Sequence, residues 1–197
     1  MVKYAMAIRE RDILNSEFPA RRPLSSVEYF DLARLGYFDG EHVELIDGEI
    51  LTMAPVGDLH RSIIDILASS LRKMLNTGFF VSVQSPYVAG SSFVPEPDLV
   101  VIQGSARDYL GKPLPTASLV IEVSESSLQF DRSIKGPIYA RSGVLEYWIV
   151  NLVETKLEVY RQPSESGYFQ SLEFVKGQTV FAICQPDLPI AVADLLP

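Results

Sequence analysis

The chain of 197 residues is long enough to bury one sizeable core, and 47% hydrophobic with 21% charged residues is the make-up of a folded domain, not a disordered one. A formal net charge of −8 excludes a globally basic nucleic-acid binder, though not one local groove. Cys184 is the one cysteine, which excludes a disulfide framework and a thiolate metal site and fits a reducing cytoplasm.

In chain order, residues 1–24 are expected as an N-terminal arm and residues 25–197 as one domain. Pro19 and Pro23 flank Arg21-Arg22 and favour extended structure, and Arg21-Arg22 reads as a solvated loop. Lys3, Arg9, Glu10, Arg11 and Asp12 interrupt any apolar run of the kind a signal peptide needs. No stretch reaches the ~18 apolar residues of a membrane span, so no membrane partner is expected. His-rich, phosphate-loop and zinc-finger patterns are absent.

A helix starts at Ser25, where Ser25 and Glu28 have capping-box spacing, and ends near Gly36. Residues 42–46 and 49–53 flank Asp47-Gly48, the strongest short-range hairpin signal. Residues 57–76 have helical spacing, with an apolar face of Leu59, Ile63, Ile66, Leu67, Leu71, Met74 and Leu75. Strands follow near 79–84 and 97–102, then a polar connection at 103–117 and a strand at 118–123. A helical segment spans about 127–142, closed by Gly143 as a left-handed cap. Residues 146–150 and 157–160 read as two more strands, with hairpin material to about 184. The fold class is α/β (α+β) with a central mixed sheet.

Chemistry enters through acids in apolar strands. Glu122 interrupts Leu119-Val120-Ile121-Glu122-Val123, and Asp98 opens Asp98-Leu99-Val100-Val101-Ile102. An ionised carboxylate in such a strand needs a cation or donors to meet it. With period two, Val120, Glu122 and Ser124 share one face, and Leu119, Ile121 and Val123 the other. Glu44 lies in the first hairpin strand. If these three acids converge, like charges ~4 Å apart repel by roughly 4 kcal/mol at an effective dielectric of about 20. A hard divalent cation, Mg²⁺ or Mn²⁺, removes that cost. Lys135 could supply positive charge beside an attacking water or a scissile phosphate.

Each residue also has a structural reading. Glu122 could form a buried ion pair with Lys135 or an arginine. Asp98 could cap a turn, and Glu44 could be a solvated cross-strand partner. His60 is expected as a packed or capping histidine and Asp131 as a helix N-cap, both kept as secondary site candidates. Tyr147 and Trp148 read as core and flank residues.

The stretches Val43–Ile50, His60 after Gly57, Pro97–Val101, Leu119–Ser124, Asp131 with Lys135, and Tyr139–Trp148 together resemble the PD-(D/E)XK nuclease superfamily, and more closely the Uma-two putative restriction endonuclease family. The resemblance covers about residues 25–190. It implies a restriction-endonuclease-like fold, a mixed sheet flanked by helices. It implies that Asp98 and Glu122 bind the metal with the main-chain carbonyl of Val123, that Glu44 completes the acidic cluster, and that Lys135 is the motif lysine. The superfamily lysine ordinarily stands two residues after the glutamate, where this chain has Ser124. Gly136-Pro137 follows Lys135 directly, which predicts a helix that starts late or kinks. The implied reaction is metal-dependent phosphodiester hydrolysis in nucleic acid, DNA first, by a homodimer. The alternative, motivated by the net charge and by Ser124, is a nuclease fold kept as a binding or assembly module. The candidates for phosphate contacts, among them Arg61, Arg72, Lys73 and Arg132, are scattered.

Overall fold

The computed structural model describes residues 21–75 and 78–197; most of the expected arm lies outside the described residues. Helix α1 (Ser26–Arg34) carries the expected capping box, both bonds present. Strands β1 (Val43–Ile46) and β2 (Glu49–Thr52) form the expected hairpin. Its turn residues Asp47 and Gly48 have φ of 54° and 74°, the left-handed pair that a two-residue hairpin turn requires.

Helix α2 (Asp58–Met74) follows, then β3 (Phe79–Val83), β4 (Leu99–Gln103) and β5 (Leu119–Ser124). The next helical segment comes in three pieces, together α3: Leu128–Phe130, a π-helical turn Asp131–Lys135, and Gly136–Arg141. Strands β6 (Glu146–Asn151), β7 (Lys156–Ser164), β8 (Gly167–Phe174), β9 (Thr179–Phe181) and β10 (Pro189–Ala191) complete the chain. Six strands make one sheet in the order β3-β4-β5-β6-β7-β8. Only β5 and β6 are parallel, because α3 crosses between them; the other neighbours are antiparallel.

The two sheet faces pack differently. Leu99, Val101, Leu119, Ile121, Val123 and Trp148 point to the face covered by Ile63, Ile64, Leu67 and Leu71 of α2. Val100, Ile102, Val120, Tyr147 and Ile149 point to the other, where Tyr139 of α3 packs. The expected period-two alternation in β5 is therefore present. The apolar face of α2 is rotated from the expectation. Leu59 and Ile66 remain about half exposed, while Ile64 and Ala68 are buried. The sheet touches a narrower stripe than the spacing alone implied.

The kink expected at Gly136-Pro137 takes the form of the π turn. Pro137 has no N–H to continue the ladder, and the N–H of Gly136 instead donates to the Asp131 carbonyl. The Tyr147 hydroxyl also donates to that carbonyl, at 3.3 Å. Asp131 is thus not the helix N-cap the sequence suggested. Helical structure begins at Leu128, ahead of it, and its side chain turns inward.

Candidate active site

Register brings the first two acids together. In the antiparallel β4–β5 pair Leu99 stands opposite Ile121, so the next residues outward are Asp98 and Glu122. The backbone N–H of Asp98 donates to Glu122 Oε2 at 3.3 Å, and the N–H of Val123 donates to Asp98 Oδ2 at 2.8 Å. Both side chains are buried.

Lys135 reaches the same point from α3. Its Nζ donates to Glu122 Oε1 at 3.0 Å and to Glu44 Oε1 at 2.9 Å, and all three residues are at most 4% exposed. Glu44 is therefore not a solvated hairpin residue. Backbone bonds between Leu45 and Val94 dock the β1–β2 hairpin on the segment before β4, and the N–H of Glu96 donates to Glu44 Oε1. Glu44 Oε2 is buried with no hydrogen-bond partner among the described residues.

His60, expected as a packed or capping residue, instead sits with Nε2 at 3.0 and 3.1 Å from the two oxygens of Asp98. Asp131 accepts from the hydroxyls of Ser124 at 2.7 Å and Ser127 at 2.6 Å. Ser124, two residues after Glu122 on the same strand, thus holds Asp131. The Tyr139 hydroxyl donates to Glu122 Oε1 at 2.7 Å. Sequence reasoning assigned Tyr139 no role. The available signal was spacing: Asp131, Lys135 and Tyr139 stand four apart and face one side.

The electrostatics follow from burial with too few cations. Burial raises Glu122 well above the ordinary glutamate range against the pull of Lys135, and Asp131, Asp98 and Glu44 push it further. Burial likewise raises Asp131 against Lys135 and the two serines. Burial disfavours charge on Lys135, but Glu122, Glu44 and Asp131 outweigh it and raise its pKa. Burial disfavours charge on His60 too, but the bond to Asp98 and its charge prevail and raise its pKa.

These groups form the floor of a cleft of about 510 Å³. Six carboxylates line it (Glu44, Glu96, Asp98, Glu122, Glu125 and Asp131) against Lys135 and two histidines. The scattered arginines stand elsewhere: Arg61 pairs with Asp58 and Asp65, and Arg132 with Glu158. Arg21 and Arg22 are exposed, as expected, and pair with Glu49 and Glu28.

Among the described residues no three His, Cys, Asp or Glu side chains stand together as a ready metal cage. Mg²⁺ does not need one; it commonly takes one or two carboxylates and keeps several waters. The all-oxygen pair Asp98 and Glu122, with the orphaned oxygen of Glu44 nearby, fits a hard cation of that kind.

On this mixed sheet Glu122 of β5 stands beside Asp98, just ahead of β4, and is met by a lysine from the crossover helix. A family model described as "Putative restriction endonuclease" (Uma2) matches residues 27–193, and the chain belongs to that family. The fold is shared with a solved structure described as "a putative nuclease belonging to DUF820" from Anabaena variabilis. That structure matches at TM-score 0.70 and 16% identity, over 88% of this chain and 97% of the other. No curated protein matches. No helix among the described residues is long and apolar enough to cross a membrane.

Proposed function

We propose that the chain is a metal-dependent endonuclease that hydrolyses phosphodiester bonds in nucleic acid, DNA first, in the cytoplasm. The observation that carries this reading is the Lys135 ammonium bonded to Glu122 beside Asp98, inside a cleft, in a chain of this family. Asp98, Glu122 and the carbonyl of Val123 would hold Mg²⁺ or Mn²⁺. A bound divalent cation would supply an activated water and neutralise charge on the phosphate.

The chain's own groups do the rest. His60 orients Asp98, and Tyr139 with Lys135 occupies Glu122 Oε1, leaving Oε2 as the freer oxygen. Glu44 anchors Lys135, whose charge stabilises the developing phosphorane oxygens. Hydrolysis adds one water across one P–O bond: the water oxygen bonds to phosphorus, the bond to the leaving sugar oxygen breaks, and that oxygen takes a proton.

The test is cleavage of labelled DNA and RNA by purified protein with Mg²⁺ or Mn²⁺. Cleavage abolished in Glu122→Ala and Lys135→Ala supports the reading, and no cleavage of any strand by the unaltered chain overturns it. One observation favours the second reading, a binding or assembly module: the cleft lining is acidic, with six carboxylates around one lysine. Metal binding and DNA affinity without cleavage would select it. Homodimerisation would let two clefts meet two strands, and gel filtration with scattering decides it. Residues 1–24 as an arm and 25–197 as the catalytic domain complete the proposal, checked by activity of a chain lacking the arm.

A further inference from the structure

The cleft has two chemically unlike halves. Its floor is the acidic cluster around Lys135. Its wall is the loop Met53-Ala54-Pro55-Val56 between β2 and α2, together with Phe130 of α3. Ala54, Pro55 and Val56 are exposed, and Val56 keeps 40% of its surface. Four consecutive apolar residues in a largely exposed loop are what a protein surface avoids unless they meet something.

Charge decides what they meet. Among the described residues no arginine lines the cleft, and the one lysine there is committed to Glu44 and Glu122. A duplex carries one phosphate charge per about 1.7 Å of axis, a single strand about half that density. Holding a duplex by its backbone takes several Lys or Arg contacts, more than the described residues of the lining offer. A single strand can be held instead by stacking a base on an aromatic ring, which contributes about 5- to 150-fold in affinity per base, and Phe130 offers such a ring beside the apolar loop. The volume, about 510 Å³, is that of a small-molecule pocket and suits one nucleotide unit better than a groove for two strands.

We propose that the cleft takes an unpaired strand: a base rests on the wall of Met53, Val56 and Phe130 while its phosphate faces the floor, where the divalent cation that Asp98 and Glu122 would hold would meet it. The substrate class is thus single-stranded or looped nucleic acid. This rests on the hydrolase reading above and narrows it.

The test uses the whole chain. Fluorescence anisotropy in Ca²⁺ follows a short labelled DNA strand, the same strand in a blunt duplex, and a duplex bearing an unpaired loop; initial cleavage rates are then taken in Mn²⁺. The strand and the loop should bind at least about tenfold tighter than the blunt duplex and be cut preferentially. Val56→Asp and Phe130→Ala should each weaken strand binding about fivefold or more, raising KM while kcat stays within about twofold. Val56 lies in an exposed loop, so its variant keeps the test sound should Phe130→Ala fold poorly. Equal or tighter binding and cutting of the blunt duplex overturns the inference and leaves the hydrolase reading standing. Unchanged strand affinity in Val56→Asp, with the fold intact by thermal melt, overturns the assigned wall. Preferential strand binding by a chain that cuts nothing supports the binding surface and overturns the hydrolase reading alone.

Discussion

The molecule buries glutamates in two contrasting ways. Glu158 in β7 is fully saturated: Arg132 grips both oxygens, Asn151 donates to Oε1 at 2.7 Å, and Tyr160 donates to Oε2 at 2.7 Å. Glu146 in β6 is likewise met on both oxygens, by Arg161 and by the N–H of Ile183. The cleft floor is undersupplied. One ammonium serves Glu44 and Glu122, and one oxygen of Glu44 has no partner among the described residues. The pKa directions diverge accordingly. Burial acts to raise both Glu122 and Glu158, yet Glu158 ends below its ordinary value because Arg132, Tyr160 and Asn151 outweigh it, whereas Glu122 ends well above. A saturated network serves the fold. An unsaturated one opening into a cleft is poised for something from outside.

That contrast can be broken by substitution. The largest effect is expected for Glu122→Gln: cleavage falls by at least about a thousandfold, roughly 4 kcal/mol of transition-state stabilisation, while the melting temperature changes little, because Glu44 still pairs Lys135 and the uncharged amide avoids the burial cost of the carboxylate. Activity assays paired with thermal melts check it. Arg132→Ala should do the reverse, costing about 3 kcal/mol of stability, the low end for a broken buried pair because Asn151 and Tyr160 still hold the carboxylate. The remaining folded protein should cleave at the normal rate.

Acid unfolding sharpens the same comparison. Glu158 has a lowered folded pKa, so its contribution is present above the unfolded glutamate value and is lost as pH falls through the folded one. In Arg132→Ala the acid-unfolding midpoint should therefore move to higher pH, read by circular dichroism. Tyr139→Phe, which frees one lone pair of Glu122 Oε1, should lower kcat about tenfold with KM nearly unchanged. Smallest of all, Arg61→Ala on the solvent face of α2 should change stability by less than about 0.5 kcal/mol.

The sequence made the acids of this site visible because carboxylates in apolar strands demand an explanation. Asp98 and Glu122 stood out for that reason, and the alternation in β5 placed Glu122 on its face. Their meeting was not readable, because it depends on the antiparallel register of Leu99 with Ile121, a property of two strands and the loop between them. Glu44 was ambiguous because a hairpin strand alone does not say which face is covered; docking through Val94 decides it. Asp131 was misplaced by the usual N-cap logic, since helical structure starts at Leu128 and the π turn rotates Asp131 inward. His60 looked like a packed or capping residue and Tyr139 drew no assignment, because what they touch depends on partners distant in sequence, Asp98 and Glu122.

The account turns on one cation meeting the floor of the cleft. Isothermal titration of Mn²⁺ into the unaltered chain and into Glu122→Gln measures that directly. Saturable binding in the first and its loss in the second is the predicted result; no binding in the first, or equal binding in both, would contradict it.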